Sequence, residues 1–306
     1  MTNPDTRPPG AGATEVAQPR ESPPAADPAA TESARRAALS RRLPAPRQMI
    51  IIIARIALFA GVLLAWEFAS GDPDDGALVD SFYVSKPSEI WKALTEWWSD
   101  GILLESIRAT VSATIYGFLL GACLGVIVGI FLGSSPTFGA IFRPFIVALN
   151  SIPRLALVPL FILWLGFGAP MKVAFVATIV FFLTFYSTYE GVRDVEQRLL
   201  DVLKVMNASK AALQIKVRIP SAMAWIIQGL QVSIPYALVA AVTAEIIGSN
   251  TGVGFLIQRS AGVFHTAGVF AGIVVLVVLG LLLNMFVVVL EKRLLRWKPR
   301  NLPPAP

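Results

Sequence analysis

Charge, cysteine and histidine are all scarce in this chain of 306 residues, and each scarcity excludes something. Asp, Glu, Lys and Arg make up only 15% of it, against about 25% in an average soluble domain. Its one cysteine, Cys123, lies in an apolar run, so no disulfide framework can form within the chain. Its one histidine, His265, leaves a metal site or a His-based triad without ligands or partners. No G-x-x-x-x-G-K-[ST] phosphate loop, G-x-S-x-G or H-E-x-x-H occurs anywhere. An enzyme acting alone is therefore not expected, nor a cofactor bound by the chain itself. The formal charge of +6 would suggest nucleic acid in a soluble protein, but the placement of the charges points elsewhere and no nucleic-acid partner is expected.

What is abundant is apolar length. The chain is 55% hydrophobic with a mean hydropathy of +0.65. Six stretches are long enough to cross roughly 30 Å of hydrocarbon at about 1.5 Å per residue. They are about Met49–Ala69, Ala109–Gly133, Phe138–Leu165, Val173–Tyr189, Pro220–Ile247 and Val269–Leu290. The expected fold class is an all-α integral membrane protein. Residues 1–47 are Pro/Ala/Arg-rich with almost no large apolar side chains, so they are expected to form a disordered tail rather than a cleavable signal peptide. The membrane domain is expected over 48–298, with a core at about 105–291 and a short tail at 299–306.

Lys and Arg set the orientation. With the N-terminus inside, the inner segments collect the Arg cluster from Arg35 to Arg47. They also take Arg143, the group from Arg193 to Arg218, and the group from Lys292 to Arg300. The outer segments keep only Lys86, Lys92, Arg108, Lys172 and Arg259. Both termini are thus expected in the cytoplasm. The first outer loop, 70–107, is acidic, and its stretch "KPSEIWKALTEWWSDGILLESI" has helical apolar spacing. That helix either lies in the outer membrane interface or packs on the bundle.

Three features stand out in the spans. Gly117, Gly121, Gly125, Gly129 and Gly133 recur every fourth residue, forming one stripe for close helix packing, or else a lining for substrate. The third span carries Pro144, Pro153 and Pro159 with Asn150 and Arg154, so it reads as two short helical pieces. Asn150, Pro153, Arg154 and Pro159 are pathway or gate candidates, Arg154 pointing to a polar path or gate. Its other reading is a cation capping a half-helix. Glu245 either lines the pathway or pairs structurally.

The segment "DVLKVMNASKAALQIKVRIP", 201–220, is soluble in character although it lies between two apolar runs. A helix over about Gln197–Met206 is expected to end at Asn207, the best non-glycine left-handed cap. Ser209 is expected to N-cap a second helix from Lys210, with Pro220 marking the start of the fifth span. The result would be a hairpin for a soluble partner to grip.

This segment resembles the "EAA" loop of permease subunits in bacterial ABC importers: E-A-A, three residues, G, nine residues, then I-x-L-P. Here the pattern falls on Asp201-Val202-Leu203, Asn207 and Val217-Arg218-Ile219-Pro220, with spacing intact and letters changed. "SIPRLALVPLFILWLGFG", "AEIIGSNTGVGFLI" and "LEKRLLRWKP" are similar to stretches of the nitrate/sulfonate/taurine branch. The resemblance runs from about Leu64 to Pro299. It implies a type I (MetI-like) permease fold in the bacterial inner membrane, in contact with lipid. The permease would pair as a homodimer. Partners would be a dimeric ABC ATPase, which holds ATP-Mg, and an extracytoplasmic solute-binding protein. It also implies that the loop 191–219 contains a coupling helix, with Asp201, Val202, Leu203, Lys204, Asn207, Ala208, Ser209, Lys210, Leu213 and Pro220 at the ATPase contact. The cargo would be a small solute such as a sulfonate, taurine or nitrate. The alternative is an ATP-independent secondary transporter or channel.

Overall fold

The computed structural model describes residues 46–71, 77–195, 201–202, 205–206 and 208–294. The expected N-terminal and C-terminal tails, apart from the last residues before 48, and the sites at Leu203, Lys204 and Asn207 lie outside the described residues. The chain divides into two units, Met1–Gly61 and Val62–Pro306. In the first, the described residues belong to helix α1 (Pro46–Ala69), whose side chains are exposed from Met49 to the unit's end.

The second unit begins with the end of α1 and a parallel two-residue bridge between β1 (Ser70–Gly71) and β2 (Val79–Asp80). Helix α2 (Pro87–Ser99) follows, with Pro87 in its first turn, where a missing N–H costs nothing. Glu67 accepts from both the Ser88 amide (3.0 Å) and the Ser88 hydroxyl (2.7 Å), placing a carboxylate at the α2 N-terminus. Ile90 and Ala93 are buried against Ala267 and Ala271. The Trp-rich helix therefore packs on the bundle, although Trp91 and Trp98 remain exposed. The helix expected to start near Pro87 ends before Gly101, whose φ of +74° no bulky residue adopts readily. The second span consequently starts early, as α3 (Ile102–Ser134).

Among the described residues, five helices are long and apolar enough to cross a membrane: Met49–Ala69, α3, α6 (Ala169–Arg193), Gln214–Gly248 and Thr266–Phe286. Between α3 and α6 lie α4 (Pro136–Asn150), a 3-10 turn (Arg154–Leu157) and α5 (Val158–Leu165), bent by 84° at the break. Pro153 precedes the turn, and Pro159 sits in the first turn of α5, where its ring fits.

The glycine stripe settles how these pieces cross. Gly117 meets Val173 and Val176, Gly121 meets Ala177 and Val180, and Gly125 meets Phe181 and Thr184. Gly129 then meets Phe185 and Thr188, and Gly133 meets Tyr189 and Val192. Both helices advance together, so α3 and α6 run parallel at backbone contact for about 24 Å. Parallel spans need an odd number of crossings between them. The bent pair α4–α5 supplies one, running opposite to α6: Gly139 lies by Tyr189, Arg154 over Phe182, and Phe161 by Phe175. The stripe is thus a packing surface, and counting the bent pair as one span gives up to six candidate spans among the described residues.

After α6 come the short helix α7 (Lys210–Leu213), a π turn (Gln214–Arg218), α8 (Ile219–Gly248), α9 (Val253–Gly262) and α10 (Thr266–Leu294). Helix α8 packs antiparallel to α6, with Gly191 against Trp225 and Gly229 against Ser187. Alanines on α8 (Ala237, Ala240, Ala241, Ala244) meet Val158, Met171, Phe175, Val176 and Val180 in the largest buried cluster. Small residues here let three backbones converge, as suits helices that gain no hydrophobic drive from lipid.

One expectation is corrected. The chain does not break at Pro220: residues Gln214–Gly248 form one continuous helix. Ile219, although it precedes proline, is helical at φ −63° and ψ −50°. The π turn just before it widens the backbone where proline removes a hydrogen bond and crowds the preceding carbonyl. The second arm of the expected hairpin is therefore an extension of the fifth span.

Candidate functional site

The chemistry-bearing residues fall at three depths. At the end holding the α3 N-terminus, Glu245 is fully buried. Its carboxylate accepts from the Thr110 hydroxyl (2.8 Å) and the Gly254 amide (3.0 Å), and it pairs with Lys172 at 3.4 Å. Lys172 also donates to the Thr251 carbonyl at 3.1 Å, and Thr110 accepts the Val253 amide at 2.9 Å. Helices α3, α6 and α8 and the start of α9 are thereby tied into one knot. The loop can sit on the carboxylate because Gly252 adopts φ +114°, and a Cβ there would collide with the Glu245 carboxylate. Of its two readings, Glu245 takes the structural pairing in this chain. Sequence reasoning counted Lys172 only as an outer-segment charge and missed it as the partner. The available signal was a lysine two residues after Pro170, inside the first turn of an otherwise apolar span.

At mid-depth, the break in the third span brings Asn150 and Arg154 together. Arg154 Nη2 donates to Asn150 Oδ1 at 2.5 Å, and its guanidinium lies 5.5 Å over the Phe182 ring. Its Nε is buried without a hydrogen-bond partner. Pro153 and Pro159 shape this break without entering it. Earlier in α4, Arg143 shares a pocket of about 90 Å³ with Tyr186, Tyr189 and Glu190.

The opposite end is basic. Arg218 donates to the Ser134 carbonyl at the α3 C-terminus, where a cation is favoured by the helix dipole. Ser134 also donates to Gln214 Oε1 at 2.8 Å. Arg193 donates to the Tyr189 hydroxyl at 2.5 Å and stacks on its ring. Arg193 and Arg218 line a cleft of about 170 Å³ with Ser135 and Val195. The 201–220 segment lies at this end. Ser209 accepts from the Ala212 amide (3.2 Å) in an N-cap arrangement, and Leu213 is half-buried. Asp201 and Val202 are helical, and Val202, Val205 and Met206 expose their apolar side chains (59%, 88% and 72%). Val205 and Met206 were not among the expected contact residues. Their signal was that they are large apolar residues in an otherwise soluble-looking segment.

Long apolar helices, a bent helix pair carrying Arg154, and exposed apolar side chains at Val202, Val205 and Met206 are the features that bear comparison with known proteins. Residues 121–296 match the family described as binding-protein-dependent transport system inner membrane component, and the chain belongs to that family. The family is one of ABC transporter permease subunits, not of enzymes. The chain is 37% identical over 155 residues to the putative aliphatic sulfonates transport permease protein SsuC of Bacillus subtilis, covering 51% of this chain and 56% of that protein. It is 33% identical over 158 residues to the formylaminopyrimidine transport permease protein ThiX of Halalkalibacterium halodurans, covering 52% and 63% respectively. It is 27% identical over 264 residues to the taurine transport system permease protein TauC of Escherichia coli, covering 85% and 94%. The matches thus span a little over half the length of the first two of these relatives. The fold is similar to that of a chain in the inward-facing MetNI methionine ABC transporter, with a TM-score of 0.57 at 15% identity over 66% of this chain and 98% of that one. This is the MetI-like permease fold.

Proposed function

We propose that this chain is the permease subunit of an ATP-driven importer, moving a small sulfonate-, taurine- or nitrate-like anion that a solute-binding protein delivers. A separate dimeric ATPase holds ATP-Mg, and two copies of this chain enclose the path. The observation that carries this reading is the segment from Asp201 to Pro220. It exposes apolar side chains at the basic end of the bundle, and from Gln214 it continues without a break into α8. Isolated apolar side chains on a water-facing segment fit a partner's groove. A helix shared by that segment and a span transmits a push directly. Alternating access is an equilibrium that ATP biases only through contacts differing between its two states.

The clustering of Arg143, Arg193, Lys216 and Arg218 toward one end supports a cytoplasmic location for that end, and hence for both termini. The exposed apolar faces of α4 and α5 are available to lipid and to the second permease copy.

Co-purification with a partner ABC ATPase tests the docking assignment. Replacing Met206 with Asp, reversing charge at Lys204 and Lys210, or substituting Asn207→Pro is expected to weaken ATPase retention by about thirtyfold, the loss of one interface hot spot. Membrane abundance should stay constant. Retention and transport at wild-type levels in all these variants would refute the docking assignment. Uptake that persists without any ATPase would favour a secondary transporter or channel.

A further inference from the structure

Arg154 lies where a cation is hardest to keep. The Phe182 ring beneath it belongs to the middle of the 25-residue span α6, so the guanidinium sits near the midplane of the membrane. It is half-buried, with one amide oxygen and one aromatic face as partners, and its Nε has no acceptor. A charged side chain at that depth is expensive unless something answers it. Among the described residues no carboxylate pairs with it.

Nor can a second copy of the chain supply one. Residues 49–66, 109–189, 219–244 and 246–290 contain no Asp or Glu at all. Glu245 is committed to Lys172 at one end of the bundle, and Glu190 lies near the C-terminus of α6. Lipid phosphates stay at the interface, about 15 Å from the midplane of a 30 Å hydrocarbon layer. The missing anion must therefore come through the protein.

We propose that Arg154 binds the oxyanion head of the transported solute at mid-membrane, held ready by Asn150 and the Phe182 ring, and that Arg143 marks the next station toward the basic end. Arginine suits the task. Its planar fork matches two oxygens of a sulfonate, nitrate or carboxylate. The break in the third span lies at the same depth, and irregular backbone at that depth is tolerated only where protein or a water-filled path satisfies it. The cation is a selectivity element: a neutral solute would leave it unanswered. The inference rests on the permease reading above.

The test uses cells carrying the complete transporter, with permease, ATPase and solute-binding protein. Uptake of labelled taurine, ethanesulfonate and nitrate is compared with that of a neutral aminopyrimidine. Arg154→Gln is expected to lower accumulation of the transported anion at least about tenfold, the factor carried by one hydrogen bond to a charged group. ATPase retention and binding-protein-stimulated hydrolysis should persist. Arg154→Lys, which keeps the charge without the fork, should retain an intermediate rate even if the glutamine variant fails to assemble. Anion uptake at the wild-type rate in both variants, or a wild-type transporter that carries only the neutral probe, overturns the assignment. ATP-independent uptake by the wild type overturns the permease reading itself, and with it this site.

Discussion

Glu245→Ala is expected to destabilise the folded chain by about 3–5 kcal/mol, the cost of stranding one charge of a buried pair. Lys172, with a side chain only 2% exposed, would keep the Thr251 oxygens but lose its counter-charge. The Gly254 amide and the Thr110 hydroxyl would lose their acceptor as well. Thermal unfolding in detergent, followed by tryptophan fluorescence, should show the loss as a lower midpoint. The double variant Lys172→Met with Glu245→Gln removes both charges and leaves an oxygen for Thr110 and Gly254. It should recover most of the stability, because neutral groups carry a far smaller desolvation penalty than an unpaired ion. A wild-type midpoint in Glu245→Ala would show that the knot does not hold the three helices together.

The second large effect is expected at Gly125. A Cβ there would overlap the Thr184 hydroxyl and come within 2.7 Å of the Phe181 carbonyl. One extra carbon in a packed contact costs about 1–3 kcal/mol, and Gly125→Val adds three. Relief from a helical glycine returns only about 1 kcal/mol, so the clash wins and the parallel α3–α6 contact must open. The variant should lose monodisperse protein on size exclusion. Gly61→Val is the control, because nothing lies within 4 Å of the position its Cβ would take. Equal behaviour of the two variants would mean that α3 and α6 do not rely on close approach.

The two effects are linked through one architecture. Parallel α3 and α6 are held along their length by the stripe and at one end by the Glu245 knot. Antiparallel α8 closes the trio and continues at the other end through the π turn of Gln214–Arg218. The helices from Gln214 onward are thus closely joined to α3 and α6, and the bent third span lies beside them. Regular backbone transmits, and an 84° break is where rearrangement can be absorbed.

Local pattern decided a good deal. The number of apolar stretches follows from hydropathy, because a membrane segment must satisfy its backbone internally and so must be a long apolar helix. The glycine period announced a groove, and the prolines around Arg154 announced a break, since each acts on its own few residues. The intact spacing of the 201–220 segment marked its place between the fourth and fifth spans. What the sequence could not decide was anything that depends on partners far along the chain. The stripe did not say which helix fills it, and α6 begins 36 residues after Gly133. Glu245 had two readings until folding placed Lys172, 73 residues earlier, beside it. Pro220 looked like a boundary because proline disfavours helix locally, yet the π turn absorbed it. Only the tertiary structure set the depth of Arg154, by laying it across the middle of a different helix. Hydrophobicity and backbone chemistry act within a turn or two and can be read in order. Ion pairing, close approach and depth belong to residues that meet only once the chain has folded.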